Sequence, residues 1–211
     1  MSSLPLFSPL LRGARVVPVL TIEHVEHAVP LARALAAGGL DVIEVTLRTE
    51  AALRACEAIA AQCPEVVLGI GTVLTPAQIG EARDAGARFL VTPGTSARMA
   101  RATAESGLPV LPGAATVSEM LTLMELGFRE LKFFPAEAAG GLDYLKSVAG
   151  PLAELRFCPT GGIGPQNAPA YLAQKNILCV GGSWIVPKAA LEAGDFAAIT
   201  WLAAEAAALG R

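Results

Sequence analysis

Two periods alternate along this chain. Short apolar runs, VVPVL (16–20), DVIEVTL (41–47), VVLGI (66–70), RFLVT (88–92), LPVLP (108–112), ELKFF (130–134), LRFCPT (155–160) and ILCVG (177–181), are separated by Ala/Leu/Glu/Arg-rich stretches with helical spacing. The runs predict eight strands. Boundary signals mark the helices between them: Thr75 and Pro76 open one, Thr116 or Ser118 another, Gly38-Gly39 and Gly86 close two, and Gly107 closes a third. Each unit is therefore a strand followed by a helix. Eight such units predict an α/β fold closed into a parallel (β/α)8 TIM barrel, for which 211 residues lies at the short end of the range. The rival is an open doubly wound sheet, which has no need of eight evenly spaced strands; GIGTVL (69–74) also lacks the third glycine of a dinucleotide fingerprint. No Ser/Gly linker or charge block divides the chain, so a single domain over 1–211 is expected, with residues 1–15 an N-terminal extension packed on the barrel.

The pattern is broken where it matters most. In ELKFF a lysine interrupts an apolar strand, and taking an ammonium group out of water costs several kcal/mol, in order of magnitude, unless it is paired, neutralised or used. Period-two geometry sends Glu130, Lys132 and Phe134 to one face of that strand, and sends Glu44, Thr46 and Arg48 to one face of the strand at 41–47. The apolar faces belong against the helices, so the polar faces look inward. The second and sixth strands of an eight-stranded barrel lie opposite each other, which makes Glu44 and Lys132 neighbours across the interior. Two readings follow: an internal ion pair of Lys132 with Glu44 or Glu130 that only satisfies itself, or a reactive amine with a carboxylate beside it.

Composition narrows the chemistry. The net charge is −3, and the basic residues are scattered among acidic ones, which gives no footprint for nucleic acid or an anionic membrane. MSSLPLFSPLLR lacks an early positive region and carries Pro5 and Pro9, so it makes a poor signal peptide, and a cytoplasmic protein is expected. Cys56, Cys63, Cys158 and Cys179 form no CxxC pair and suit buried, reduced thiols. His24 and His27 could share a face, but the sequence places no third ligand with them, so neither a metal nor any other cofactor is expected. The partners are small molecules.

Two glycine-rich turns point to an anion. PTGGIGPQN (159–167) follows the seventh run and GGSWIVP (181–187) the eighth, where barrels commonly hold a phosphate. Gly161, Gly162, Gly181 and Gly182 would let backbone N–H groups approach it, and Ser183 adds a hydroxyl donor. Tight turns alone would also account for the glycines.

IEVTLRT (43–49), GIGTVL (69–74), VTPG (91–94), LPG (111–113), LKFFPAE (131–137), PTGGI (159–163) and GGSW (181–184), in this order, make the chain similar to the 2-keto-3-deoxy-6-phosphogluconate (KDPG) / 4-hydroxy-2-oxoglutarate (KHG) aldolase family. The resemblance spans nearly the whole chain. It implies a (β/α)8 barrel, a homotrimer and metal-independent class I aldol cleavage of a phosphorylated keto acid. Lys132 would be the Schiff-base lysine and Glu44 the acid/base residue. Arg48 and Thr72 would hold the pyruvate carboxylate, Gly161, Gly162 and Ser183 would lie at the phosphate, and Pro93, Phe134 and Thr160 would shape the pocket walls. The residues themselves leave open a phosphosugar isomerase or synthase on the same barrel, which has no need of an imine-forming Lys132, and a noncatalytic phospholigand-binding protein. They also leave open the choice among KDPG, its galactonate epimer and 4-hydroxy-2-oxoglutarate.

Overall fold

The computed structural model describes residues 4–209, so residues 1–3 of the expected extension and the last two residues of the expected domain lie outside the described part. The fold is α/β, with a curled parallel sheet and helices packed on its outer side. Strands β1 (Val16–Leu20), β2 (Val42–Thr46), β3 (Val67–Gly71), β4 (Phe89–Val91), β5 (Val110–Leu111) and β9 (Val180–Gly182) form a six-stranded sheet in the order β5-β4-β3-β2-β1-β9. Strands β6 (Gly113–Ala114), β7 (Glu130–Phe133) and β8 (Arg156–Pro159) form a second, three-stranded sheet. Every pairing is parallel. Parallel bridges from Phe157 to Ile177 and from Thr160 to Gly181 reach from β8 toward β9.

Two of the eight expected strands differ from the sequence reading. The run at 108–112 gives only β5, and pairing resumes beyond its end, past Pro112, as β6, because proline has no N–H to give the ladder. Its carbonyl still accepts from Lys132 N at 3.0 Å. The run at 177–181 starts its strand later, at Val180, while Ile177 lies in an isolated bridge opposite Phe157, whose N donates to Asn176 O at 2.8 Å and whose O accepts from Leu178 N at 2.9 Å.

The helices are α1 (Ala28–Ala37), α2 (Ala52–Gln62), α3 (Pro76–Asp84), α4 (Ala97–Ala104), α5 (Val117–Glu125), α6 (Gly141–Val148), α7 (Ala168–Leu172), α8 (Lys188–Glu192) and α9 (Phe196–Ala208). Their ends follow the sequence signals. Thr75 and Thr116 each close a capping box, with Gln78 and Glu119 as the reciprocal partners, so Thr116 rather than Ser118 opens α5. Gly38 caps α1, and Gly86 and Gly107 take left-handed φ values of 94° and 74° just past α3 and α4. No helix among the described residues is long and apolar enough to cross a membrane.

Strand alternation sorts the buried side chains into two clusters. Ile43, Val45, Leu68 and Ile70 join Leu31, Leu35 and Ile59 of the helices in the larger one. Val17, Val42, Val67, Phe89, Val91, Leu111, Cys158 and Cys179 form the smaller one on the opposite, concave side. Phe7 and Leu11, from the N-terminal segment, belong to that inner cluster, with the Phe7 and Phe89 ring centroids 4.7 Å apart. Glu130 fixes the segment there, accepting from Phe7 N at 2.6 Å and Ser8 N at 2.9 Å. Apart from Glu130, whose carboxylate is taken up by the two amides, the interior is thus apolar toward the strand starts. Glu44, Thr46, Thr92, Lys132 and Thr160, the other buried polar groups of the strands and the residues next to them, lie farther along toward the strand ends.

Candidate active site

The expected inward faces meet. Lys132 on β7 and Glu44 on β2, in different sheets, face each other with Nζ 3.1 Å from Oε1 and 3.5 Å from Oε2. Both are buried, at 3% and 4% exposure. Glu130, the other acid on that face of β7, bonds to the N-terminal backbone instead. The Lys132 ammonium also lies 5.3 Å from the Phe134 ring centroid, within cation–π range. An ion pair this dry is weak evidence of a stabilising role, since a well-packed apolar pair would do as well or better. Lys132 is the next-to-last residue of β7 and Glu44 the middle residue of β2, so the pair opens toward the C-terminal side of the strands, where catalytic groups of such folds sit.

Gly71 makes the pairing sterically feasible. It stands on β3 beside β2, and a Cβ there would fall on the Glu44 carboxylate. Next along the chain, Thr72 holds a φ of 59°, an outlying conformation for a β-branched residue. That strain aims the Thr72 hydroxyl at Arg48, whose Nε donates to Thr72 Oγ1 at 3.2 Å. Arg48 is exposed just beyond the end of β2, and its terminal nitrogens make no ion pair among the described residues. The fork is therefore open to a carboxylate. Pro93 follows β4, where Thr92 Oγ1 accepts from Gly113 N at 3.0 Å and brings the Pro93 backbone against Gly113.

The glycine turns adjoin each other and Phe134. Thr160 is buried and bridges to Gly181, with its side chain in the space a Cβ on Gly181 would need. Gly161 and Gly162 adopt φ of 99° and 79° in succession, a pair of left-handed residues that only glycine supplies cheaply. A Cβ on Gly161 would touch the Phe134 ring at 3.4 Å. Asn167 braces this turn from within, donating from Nδ2 to Gly162 O at 3.1 Å and accepting from Gly164 N at 2.8 Å. Gly182 ends β9 and presents Ser183, which is exposed. Ser183 also lines a neighbouring cavity of about 270 Å³ with Thr21, His24 and His27. The two imidazoles there pack edge to face, with centroids 5.6 Å apart.

Residues 8–202 match the family described as KDPG and KHG aldolase. The chain belongs to the KDPG and KHG aldolase family. Over 197 residues it is 53% identical to the KHG/KDPG aldolase of Escherichia coli (strain K12), an overlap of 93% of this chain and 92% of that one. Among solved structures, it is similar to KDPG aldolase from Legionella pneumophila with pyruvate captured at low pH as a covalent carbinolamine intermediate. That match has a TM-score of 0.92 and 42% identity, and covers 95% of this chain and 97% of that one. It is likewise similar to the aldolase of Zymomonas mobilis ZM4 with 3-phosphoglycerate, at a TM-score of 0.90 and 46% identity over 96% and 95% of the two chains.

The motifs that carry the KDPG and KHG aldolase resemblance did not assign every residue that builds the site. Gly71 lies inside GIGTVL and Thr92 inside VTPG, yet neither had a stated role. A glycine at an inward position next to the strand that bears Glu44 was a usable signal. Thr92 and Asn167 act through backbone groups, so their side chains gave no chemical hint in the sequence.

Proposed function

We propose that this chain is a class I aldolase that cleaves 2-keto-3-deoxy-6-phosphogluconate to pyruvate and glyceraldehyde 3-phosphate, with Lys132 as the imine-forming nucleophile. The observation that carries this reading is the buried Lys132 amine 3.1 Å from the Glu44 carboxylate on facing parallel strands. The Legionella relative's covalent pyruvate carbinolamine supports it, because such an adduct requires an amine.

Lys132, as the free amine, adds to the C2 ketone. Glu44, within hydrogen-bonding distance, relays the protons that turn the carbinolamine into an iminium with loss of water. The iminium then draws the electron pair of the C3–C4 bond as the C4 hydroxyl loses its proton, so glyceraldehyde 3-phosphate leaves and an enamine remains. Protonation at C3 and hydrolysis return pyruvate and the free lysine. Arg48 and Thr72 hold the carboxylate next to the ketone; Gly161, Gly162, Gly181, Gly182 and Ser183 receive the phosphate; Pro93, Phe134 and Thr160 line the pocket. Because the Escherichia coli relative is a KHG/KDPG aldolase, 4-hydroxy-2-oxoglutarate is a second substrate, giving pyruvate and glyoxylate.

The same reading closes the two sheets into one eight-stranded (β/α)8 barrel, with β5 and β6 as a single strand interrupted at Pro112 and the two bridges joining β8 to β9. It makes residues 1–211 one domain with an N-terminal extension, working in the cytoplasm as a homotrimer without a metal; sedimentation equilibrium measures the assembly. Borohydride reduction in the presence of pyruvate tests the chemistry. The expected result is a mass increase confined to the Lys132 peptide, lost in Lys132→Met; an adduct at none of the lysines would reject the mechanism.

A further inference from the structure

Glu137 places a carboxylate beside a turn built to receive an anion. Its N–H donates to Gly161 O at 3.1 Å, and its Cβ and Cγ fill the space over Gly162 that a side chain there would occupy. Like charges this close would oppose phosphate binding unless the carboxylate were directed elsewhere. It is directed elsewhere. Tyr171, on the short helix α7 that follows the turn, is buried at 1% exposure and donates its hydroxyl to Glu137 Oε1. Burial together with the Glu137 carboxylate pushes the Tyr171 phenol well above its ordinary value, so it remains a donor throughout the working pH range. Gly141 completes the seat: a Cβ on it would contact Glu137 Oε1 at 3.2 Å and Tyr171 Oη at 3.3 Å.

We propose that Tyr171 is a positioning residue for substrate specificity: by tethering the Glu137 carboxylate toward α7 it keeps negative charge out of the Gly161–Gly162 anion turn and so sustains affinity for the phosphorylated substrate. This rests on the reading that the turn holds the phosphate. Tyr171 touches no substrate atom; it acts through Glu137.

The test compares wild type, Tyr171→Phe, Glu137→Gln, the Tyr171→Phe/Glu137→Gln double variant and Ser183→Ala. KM and kcat are measured for 2-keto-3-deoxy-6-phosphogluconate, alongside the rate of borohydride inactivation with pyruvate, which carries no phosphate. Tyr171→Phe is expected to raise KM for the phosphorylated substrate about tenfold, equivalent to ~1.4 kcal/mol, with kcat and pyruvate trapping unchanged. Glu137→Gln in the same chain is expected to return KM to near the wild-type value, because the freed side chain no longer carries charge. A structural prop would behave differently: the double variant would be no better than Tyr171→Phe, and that result overturns the proposal. So does an equal loss of pyruvate trapping in Tyr171→Phe. Ser183→Ala separates the two levels. If it raises KM for the phosphorylated substrate while Tyr171→Phe does not, the phosphate reading stands and the tether fails; if neither variant affects that KM, both fall.

Discussion

A single missing methyl group decides where Glu44 can go. Gly71 sits in β3 without a left-handed φ, so alanine fits its backbone, and the three atoms nearest the added Cβ all belong to the Glu44 side chain. Gly71→Ala is therefore expected to leave the fold intact and to displace Glu44 from Lys132. Positioned acid/base groups contribute about 10²–10⁴-fold, so kcat should fall by about 10²-fold or more. Because the displaced carboxylate leaves the buried Lys132 without its partner, stability should fall too, by up to the ~3–5 kcal/mol of a broken buried pair. Steady-state kinetics and a thermal melt on one preparation check this. An unchanged kcat would remove Glu44 from the proton relay. Lys132 and Glu44 were legible as inward-facing partners because strand alternation fixes the face and the strand count fixes the opposition. Glu130 was not. The sequence offered it as an alternative partner for Lys132, whereas its partners are two backbone amides from residues 7 and 8, more than a hundred positions away, and backbone groups leave no chemical signature in a sequence.

At the scale of elements, boundaries with a side-chain cap could be read and those set by pairing could not. Thr75 announced α3, and Thr116, one of two candidates with Ser118, announced α5, but the division of β5 from β6 and the late start of β9 depend on which neighbouring backbone supplies hydrogen bonds. The α5 cap also gives a pH signature. Glu119 accepts from Ala115 N at 2.8 Å and Thr116 N at 2.9 Å. These bonds, the Ala115 amide foremost, hold its carboxyl below the usual 4.5 against a smaller opposing effect of burial. A depressed carboxyl stabilises the folded state above its unfolded value, and that contribution is lost as pH falls through the lower, folded value. The stability difference between wild type and Glu119→Gln should thus be present at neutral pH and vanish in acid below 4.5. Solvent screening keeps it small. Thr116→Ala should cost about 1 kcal/mol. Urea titrations at neutral and acidic pH measure both.

Across the whole molecule, the Lys132–Glu44 pair links two sheets, so its removal bears on stability as well as chemistry. Lys132→Met leaves a buried carboxylate without its cation, which costs about 3–5 kcal/mol, whereas Lys132→Met/Glu44→Leu removes both charges. The double variant is expected to be inactive and yet more stable than the single one in urea denaturation. If the single variant were as stable as wild type, the interior would be wetter than the exposures of 3% and 4% indicate.

The seat of Phe7 is assembled from residues spread over most of the chain, among them Val17, Phe89, Cys158 and Cys179. During synthesis Phe7 emerges well before Cys158 and Cys179, so it cannot settle into that seat until they have followed. Once docked, the segment is held by two amides bonded to the buried Glu130, so it should be released only when the surrounding strands separate. Hydrogen–deuterium exchange at Phe7 and Ser8 should accordingly run at the pace of global opening, and rapid labelling there would mean that the plug comes loose alone.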